Sequence, residues 1–451
     1  MKCDWKYTFY QLGVIREQSE IKTVYEDQGQ ELNCINLYPD ITYQTFEGFG
    51  GTLNEAAAYT WSRMEASTRA ELVEAYYGEE GLGYTQARMS LDSCDACLGG
   101  FEAMSDPEDV DFKTFSLKRD ELYILPFWEA VNKGCLERNN VPVTIFLSPW
   151  SPPAFMKTNH ERNHGGKLKL EYRAMWAEYI CVFIEKYQEK GVNVRRISVQ
   201  NEPNATQIWD SCCYTMEEEK EFLRDYLHPT LKKHGLEKLE LYIWDHNKER
   251  ILERALGIID QDTQDMITGV AFHWYSGDHF EALSMLKEKF PEKKLAFTEG
   301  CVEYSRYSKD APIEHAQVYG HDITGNLNHG AEIFIDWCVL LNKEGGPNHV
   351  SNFVEAPIMY DEAKGIMEKK LSYYYIGHFS KFIIPGSIRI GMSRFTEKLD
   401  VTAFIRPDGR IVVTVMNRTM EEADFYLRIE KKLIPLILPA GGIGSALLEM
   451  D

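Results

Sequence analysis

Residues 198–205 read Ser-Val-Gln-Asn-Glu-Pro-Asn-Ala. Three residues of strand character, Ser198, Val199 and Gln200, run directly into Asn201, Glu202 and Pro203. A carboxylate at the end of a buried strand is costly without a partner or a purpose, and the proline prevents the strand from continuing. Glu299 closes the apolar run Lys-Leu-Ala-Phe-Thr-Glu in the same manner. Two carboxylates flanked by aromatic rings can hydrolyse a glycosidic bond. One protonates the leaving oxygen, the other attacks the anomeric carbon or activates water, and flat rings stack on the apolar face of the sugar. The plainer alternative is that each glutamate ends a strand at a solvated rim.

The elements that must position these groups follow from periodicity. Between about residues 46 and 340, short apolar runs alternate with longer helical patterns. The predicted strands are 47–53, 83–91, 141–147, 195–200, 238–244, 267–274, 294–299 and 332–337. The intervening stretch 171–191 repeats Met175, Tyr179, Val182 and Phe183 at helical spacing, with Gly191 as a stop. Thr215 and the acids after it suit a helix N-terminus. Eight strand–helix units predict a (β/α)8 TIM barrel, an α/β fold whose site lies at the C-terminal ends of the strands. At those ends stand Asp95, Trp150, Asn201 with Glu202, Asp245-His246, His273 with Tyr275, Glu299 and Trp337. After about residue 380 alternating strands surround the turn Pro407-Asp408-Gly409, and the first forty residues are also strand-like. The expected division is therefore 1–45 and 381–451 in a small β-sandwich built from both termini, and 46–380 in the catalytic barrel.

Composition narrows the partners. The 451 residues are 44% hydrophobic and 26% charged, with a formal net charge of −21. That charge repels polyphosphates and argues against nucleic acid. No run approaches the ~18 apolar residues of a membrane span, so no stable membrane insertion is expected. The first twenty residues lack the apolar core of a secretory signal, and the expectation is a cytoplasmic protein.

The barrel and its junction with the sandwich resemble glycoside hydrolase family 30, the family of glucosylceramidase-like retaining β-glycosidases. The resemblance is carried in order by GFGGTLNEAAA, ARMSLDSCD, SPWSPPAFMKTN, VQNEPNA, GVAFHWY, FTEGC, NKEGGPNHVSNF and YYYIGHFSKFIIPGS, spanning roughly residues 46–388. It implies Glu202 as general acid/base and Glu299 as nucleophile. Asp95, Trp150, Asn201, Tyr275, Trp337 and Asn352 would contact the sugar, with Arg88 and His273 supporting the nucleophile. The implied enzyme is an exo-acting β-glycosidase for small β-D-glucosides or short oligosaccharides, with neither cofactor nor metal. β-Xylosidase, β-fucosidase and β-1,6-glucanase activities are alternatives within the family.

Other motifs point elsewhere. His160-Glu161-Arg162-Asn163-His164 fits H-E-x-x-H, which binds zinc only on a helix; its flanks predict a polar rim loop instead. Cys94-x-x-Cys97 has no second pair to complete a zinc set. A carbohydrate-binding protein without catalysis is the non-enzymatic alternative.

Overall fold

The computed structural model describes residues 1–450. All eight predicted barrel strands are present: β1 (Gly48–Thr52), β2 (Gln86–Leu91), β3 (Thr144–Pro149), β4 (Val194–Ser198), β5 (Glu240–Asn247), β6 (Gly269–His273), β7 (Lys294–Glu299) and β8 (Ile333–Asp336). They close into one barrel in chain order, and every pairing is parallel, including β8 with β1.

Period-two alternation separates two cores. Phe146, Tyr242, Ala271, Ala296, Ile333 and Ile335 fill the barrel interior. Their neighbours Ile145, Leu147, Ile243, Val270, Phe272, Leu295 and Phe297 face the surrounding helices. Strands buried on both faces read as continuous apolar runs, which is why the sequence exposes them. The N-terminal mouth is closed by ions: Arg196 pairs with Glu47 and Glu240, and Lys294 with the same two acids. The chemistry-bearing side chains are thereby left to the C-terminal mouth.

Predicted helices are confirmed at Arg173–Glu189 and from Met216, where Thr215 and Glu218 form a reciprocal capping box. The GFGG run serves close packing in β1. A Cβ on Gly50 would lie 2.2 Å from the carbonyl oxygen of Gln86 on the adjacent strand.

Both chain ends contribute to one ten-stranded sheet that folds over its own core. The first strand, Lys2–Gln11, pairs with the last, Ile443–Glu449. Its central hairpin, Leu399–Ile405 and Ile411–Asn417, turns at the predicted Pro407-Asp408-Gly409. Leu399, Val401, Val413 and Val415 point into the sandwich, while Phe404, Val412 and Met416 pack on the barrel's core. The sandwich is thus fixed to the barrel through a continuous apolar contact. Within the strand-like first forty residues, the run Thr8–Glu17 is a hairpin, because Leu12 (φ 53°) and Gly13 (φ 79°) both adopt the left-handed region.

Candidate active site

Asp245 is the buried centre of the site. β5 carries a bulge where Trp244 and His246 pair with successive residues of β6 and Asp245 is skipped. Trp244 (φ 72°) and Asp245 (φ 49°) take left-handed backbone there, turning the carboxylate into the barrel. Its Oδ2 accepts from Arg88 Nη2 (2.9 Å), Ser148 Oγ (2.8 Å) and Ser198 Oγ (2.6 Å). Its Oδ1 accepts from His273 Nε2 (3.2 Å) and Thr298 Oγ1 (2.5 Å). Burial opposes the charge, but Arg88, His273 and these donors hold the carboxyl far below the usual range. Asp245 is therefore a permanent anion that organises Arg88 and His273.

Arg88, fully buried on β2, spends its guanidinium on four partners. Nε donates to Ser148 Oγ (3.1 Å), Nη1 to Glu299 Oε2 (2.6 Å), and Nη2 to both Asn201 Oδ1 (2.7 Å) and Asp245. Arginine only donates, so Asn201 must present its amide oxygen to Arg88 and its NH2 to the cavity. The Arg88 guanidinium also lies 4.6 Å from the centre of the Trp150 ring.

Glu299 ends β7 with its two oxygens claimed separately, Oε2 by Arg88 and Oε1 by the Tyr275 hydroxyl at 3.1 Å. Glu202 lies across the mouth at φ 47°, a conformation costing a non-glycine residue about 1–3 kcal/mol. Its amide donates to the Asp245 carbonyl (3.0 Å), and Asn201 N donates to the Pro149 carbonyl (2.8 Å). The strained turn is thus tied to its neighbouring strands. Glu202 Oε1 faces His273 Nδ1 at 3.1 Å.

One ligand atom each from Glu202, His273 and Glu299 lie within 4.8 Å of one another. Such a trio could hold a metal, but this one is already occupied. Both His273 nitrogens have carboxylate partners, and Glu299, Asp245 and Glu202 raise its pKa to about 9 against the effect of burial. Arg88 places a fixed cation against Glu299 in the same cluster.

The two glutamates titrate as a unit. Burial, then the charges of Glu202 and Asp95, push Glu299 up to about 7 against His273 and Arg88. Burial opposes the charge on Glu202, which His246 and His273 nevertheless hold below its ordinary range. Both carboxylates have direct partners: Glu299 receives Arg88 and Tyr275, and Glu202 faces His273 at 3.1 Å and, less closely, His246 at 3.8 Å. Burial keeps His246 below its ordinary value, which leaves His273 as the cation held against Glu202.

The remaining expected residues line the same cavity of about 300 Å3. Trp150 and Trp337 lie 5.4 Å apart between ring centres, inclined by 31°. The Gln200 amide fixes Trp150 through its carbonyl (2.7 Å). Asp95 Oδ2 accepts from Asn348 Nδ2 and Asn352 Nδ2, both at 3.2 Å. Burial raises Asp95 to about 6 against those amides. All ten residues singled out from sequence thus gather at one mouth. The organising role of Asp245, the serines behind it and the cavity positions of Trp209, Glu303 and Arg306 were not foreseen. For Asp245, the available signal was its place at the end of the fifth predicted strand.

The competing motifs do not form sites. His160 and His164 sit in a turn-rich loop, both with φ 56°, and His164 Nδ1 pairs with Glu161 (2.9 Å). Cys94 and Cys97 are buried thiols, 3.7 Å apart, packed in the cluster containing Trp150 and Trp337.

A parallel eight-stranded barrel with paired carboxylates and a tryptophan wall at its C-terminal mouth is the framework of a glycoside-cleaving enzyme. The chain belongs to glycosyl hydrolase family 30: residues 46–383 match that family's TIM-barrel domain and residues 386–446 its beta sandwich domain. It is 30% identical over 409 residues to lysosomal acid glucosylceramidase of Mus musculus, covering 86% of this chain and 78% of that one. It is 23% identical over 436 residues to an endo-1,6-beta-D-glucanase of Neurospora crassa, covering 88% and 86%. Among solved structures, SrfJ from Salmonella typhimurium superposes with a TM-score of 0.93 at 37% identity over the whole of both chains. The endo-beta1,6-glucanase BT3312 shares the fold, with a TM-score of 0.86 at 21% identity over both whole chains.

Proposed function

We propose that the protein is a retaining, exo-acting β-glycosidase for small β-D-glucosides, with Glu299 as nucleophile and Glu202 as general acid/base. The observation that carries this reading is the spacing of the pair, with oxygens of the two carboxyls within 4.8 Å. Direct displacement by a carboxylate uses groups about 5–5.5 Å apart; an inverting pair stands about 6.5–9.5 Å apart to admit water. Arg88 and Tyr275 keep Glu299 ionised and aimed. Glu202 protonates the departing oxygen, and the glycosyl group is transferred to Glu299. Glu202, now ionised, takes a proton from the water that releases the sugar. Loss of charge on Glu299 during glycosylation removes the repulsion that had kept Glu202 protonated. The free NH2 of Asn201 would donate to the sugar 2-hydroxyl, a contact that strengthens as oxocarbenium character develops.

The cavity supports the exo mode. At about 300 Å3 it stands at the small end of ligand pockets, which run about 300–1,000 Å3. Asp95, braced by two asparagine amides, is placed to accept from paired hydroxyls of a terminal ring. The kinship with a glucosylceramidase supports glucose as the sugar. A panel of aryl β-glycosides, followed by proton NMR at early times, tests the proposal. The expected result is preferred release of β-glucose, unchanged in the presence of a chelator. An α product, or internal cleavage of a polymer in preference to small glucosides, overturns it.

A further inference from the structure

The loop that carries the H-E-x-x-H pattern holds an arginine that the pattern itself does not use. Arg162, its side chain 12% exposed, reaches beneath the rim to two other loops and back to the start of its own. Nε donates to Asp210 Oδ1 (2.8 Å), Nη1 to the Ser151 carbonyl (3.0 Å) and Nη2 to the Ser93 carbonyl (3.4 Å). Asp92 and Glu102 lie 3.5 and 3.6 Å from Nη1. The backbone of the same loop is fastened to the β4 loop: Ser211 N donates to the Arg162 carbonyl (2.9 Å), and Asn163 bridges to Asp210.

Each of those loops presents a cavity residue close to its tether. Ser93 lies two positions before Asp95, Ser151 follows Trp150, and Asp210 follows Trp209; Asp95, Trp150 and Trp209 all line the cavity. The loops leave three different strands; backbone hydrogen bonds join those after β3 and β4, and the Arg162 side chain adds the tie to the Ser93 carbonyl in the loop after β2. Asp210 is also bound by Ser93 Oγ (3.0 Å), so Arg162 and Asp210 form one knot. A guanidinium suits this task because its planar fork serves several acceptors in fixed directions and stays charged when buried.

We propose that Arg162 is the positioning residue of the sugar pocket, holding Asp95, Trp150 and Trp209 in register through the loops after β2, β3 and β4. The inference rests on the glycosidase reading above. It separates sugar binding from chemistry, because Arg162 touches neither Glu202 nor Glu299.

The test compares kcat and KM of wild type, Arg162→Lys, Arg162→Met and Asp210→Asn on an aryl β-glucoside, with active sites counted by a trapped glycosyl-enzyme. Arg162→Met should raise KM about tenfold or more while kcat per active site stays within about threefold, and Arg162→Lys should recover part of the loss. Asp210→Asn keeps the shape of the knot and guards against a methionine variant that fails to fold; it should move KM in the same direction. A double-mutant cycle adds the readout that a merely structural role would not move. In an Asp95→Asn background the effect of Arg162→Lys should shrink to under half its logarithmic size, because the group being positioned is gone. The proposal is overturned by an unchanged KM in Arg162→Lys and Asp210→Asn, by full additivity with Asp95→Asn, or by a loss confined to the fraction of active sites. A wild type that turns over no β-glycoside would defeat the glycosidase reading itself, whereas an active wild type with indifferent Arg162 variants defeats only this inference.

Discussion

Arg88 Nη1 lies 2.6 Å from Glu299 Oε2, in a site where the arginine is wholly buried. The same guanidinium neutralises Asp245 at 2.9 Å. Two carboxylates thus share this cation, and its removal leaves His273 as the remaining buried counter-charge for both. Arg88→Met should destabilise the fold by about 3–5 kcal/mol and abolish turnover, measured by urea unfolding and aryl glucoside hydrolysis. Arg88→Lys should retain more stability than Arg88→Met yet remain nearly inactive, because an ammonium cannot reproduce the planar fork. A change under about 1 kcal/mol in Arg88→Met would contradict this account.

His273 links the two halves of the network, between Glu202 and Asp245. Its pKa is raised from the ordinary 6.5 to about 9. The stabilisation from protonated His273 is therefore complete below pH 6.5 and is lost as pH rises through about 9. The shift corresponds to at most about 3 kcal/mol. The stability gap between wild type and His273→Gln, measured by urea unfolding, should be largest near pH 6 and shrink by pH 9.5. A gap independent of pH would show that His273 contributes only packing and neutral hydrogen bonds.

How much of this was legible follows from where each signal resides. Barrel strands buried on both faces leave contiguous apolar runs, so all eight could be read, and Glu202 and Glu299 stood out because each ends such a run. Asp245 could be seen but not assigned. Its role depends on donors from β2, β3, β4, β6 and β7, a convergence with no local pattern. The bulge that aims it has no glycine to announce it, since Trp244 and Asp245 themselves take the left-handed conformation. The same limit concealed the first hairpin, where Leu12 occupies a position that glycine or asparagine would normally mark. Arg162 likewise has no local pattern, since its partners come from the loops after β2, β3 and β4.

Asn201 offers its NH2 to the cavity because Arg88 holds its Oδ1 at 2.7 Å. Asn201→Ala should lower kcat/KM on a β-glucoside by about a hundredfold or more, in line with the several kcal/mol carried by 2-hydroxyl contacts. On the matching 2-deoxyglucoside the same substitution should cost far less. Equal losses on both substrates would mean that Asn201 acts only by supporting Arg88.

The shared proton of the glutamate pair sets the alkaline limit of glycosylation. Within the pair Glu299 is pushed up to about 7, so the last proton leaves near that pH, and with it the acid needed by the leaving group. For a poor leaving group, kcat/KM should fall as pH rises through about 7. A substrate whose leaving group needs no protonation should lack this alkaline limb in the wild type, since no acid is required to expel it. An identical limb on that substrate would place the titration elsewhere.

The two glutamates should fail differently. Glu299→Gln removes the nucleophile, and glycosylation should stop for every substrate. Glu202→Gln removes the proton donor, so its cost should follow how badly the leaving group needs a proton. A dinitrophenyl glucoside departs unaided and should still glycosylate Glu299, giving a burst of dinitrophenol. The second step then stalls, because no base remains to activate water. Azide needs no deprotonation, so its addition should restore turnover and yield a β-glucosyl azide, the anomer that double displacement requires. Arg88 and Tyr275 remain on Glu299 in this variant, which is why the nucleophile should stay competent. Equal losses in both variants on good and poor leaving groups, with no rescue by azide, would overturn the assignment of the pair.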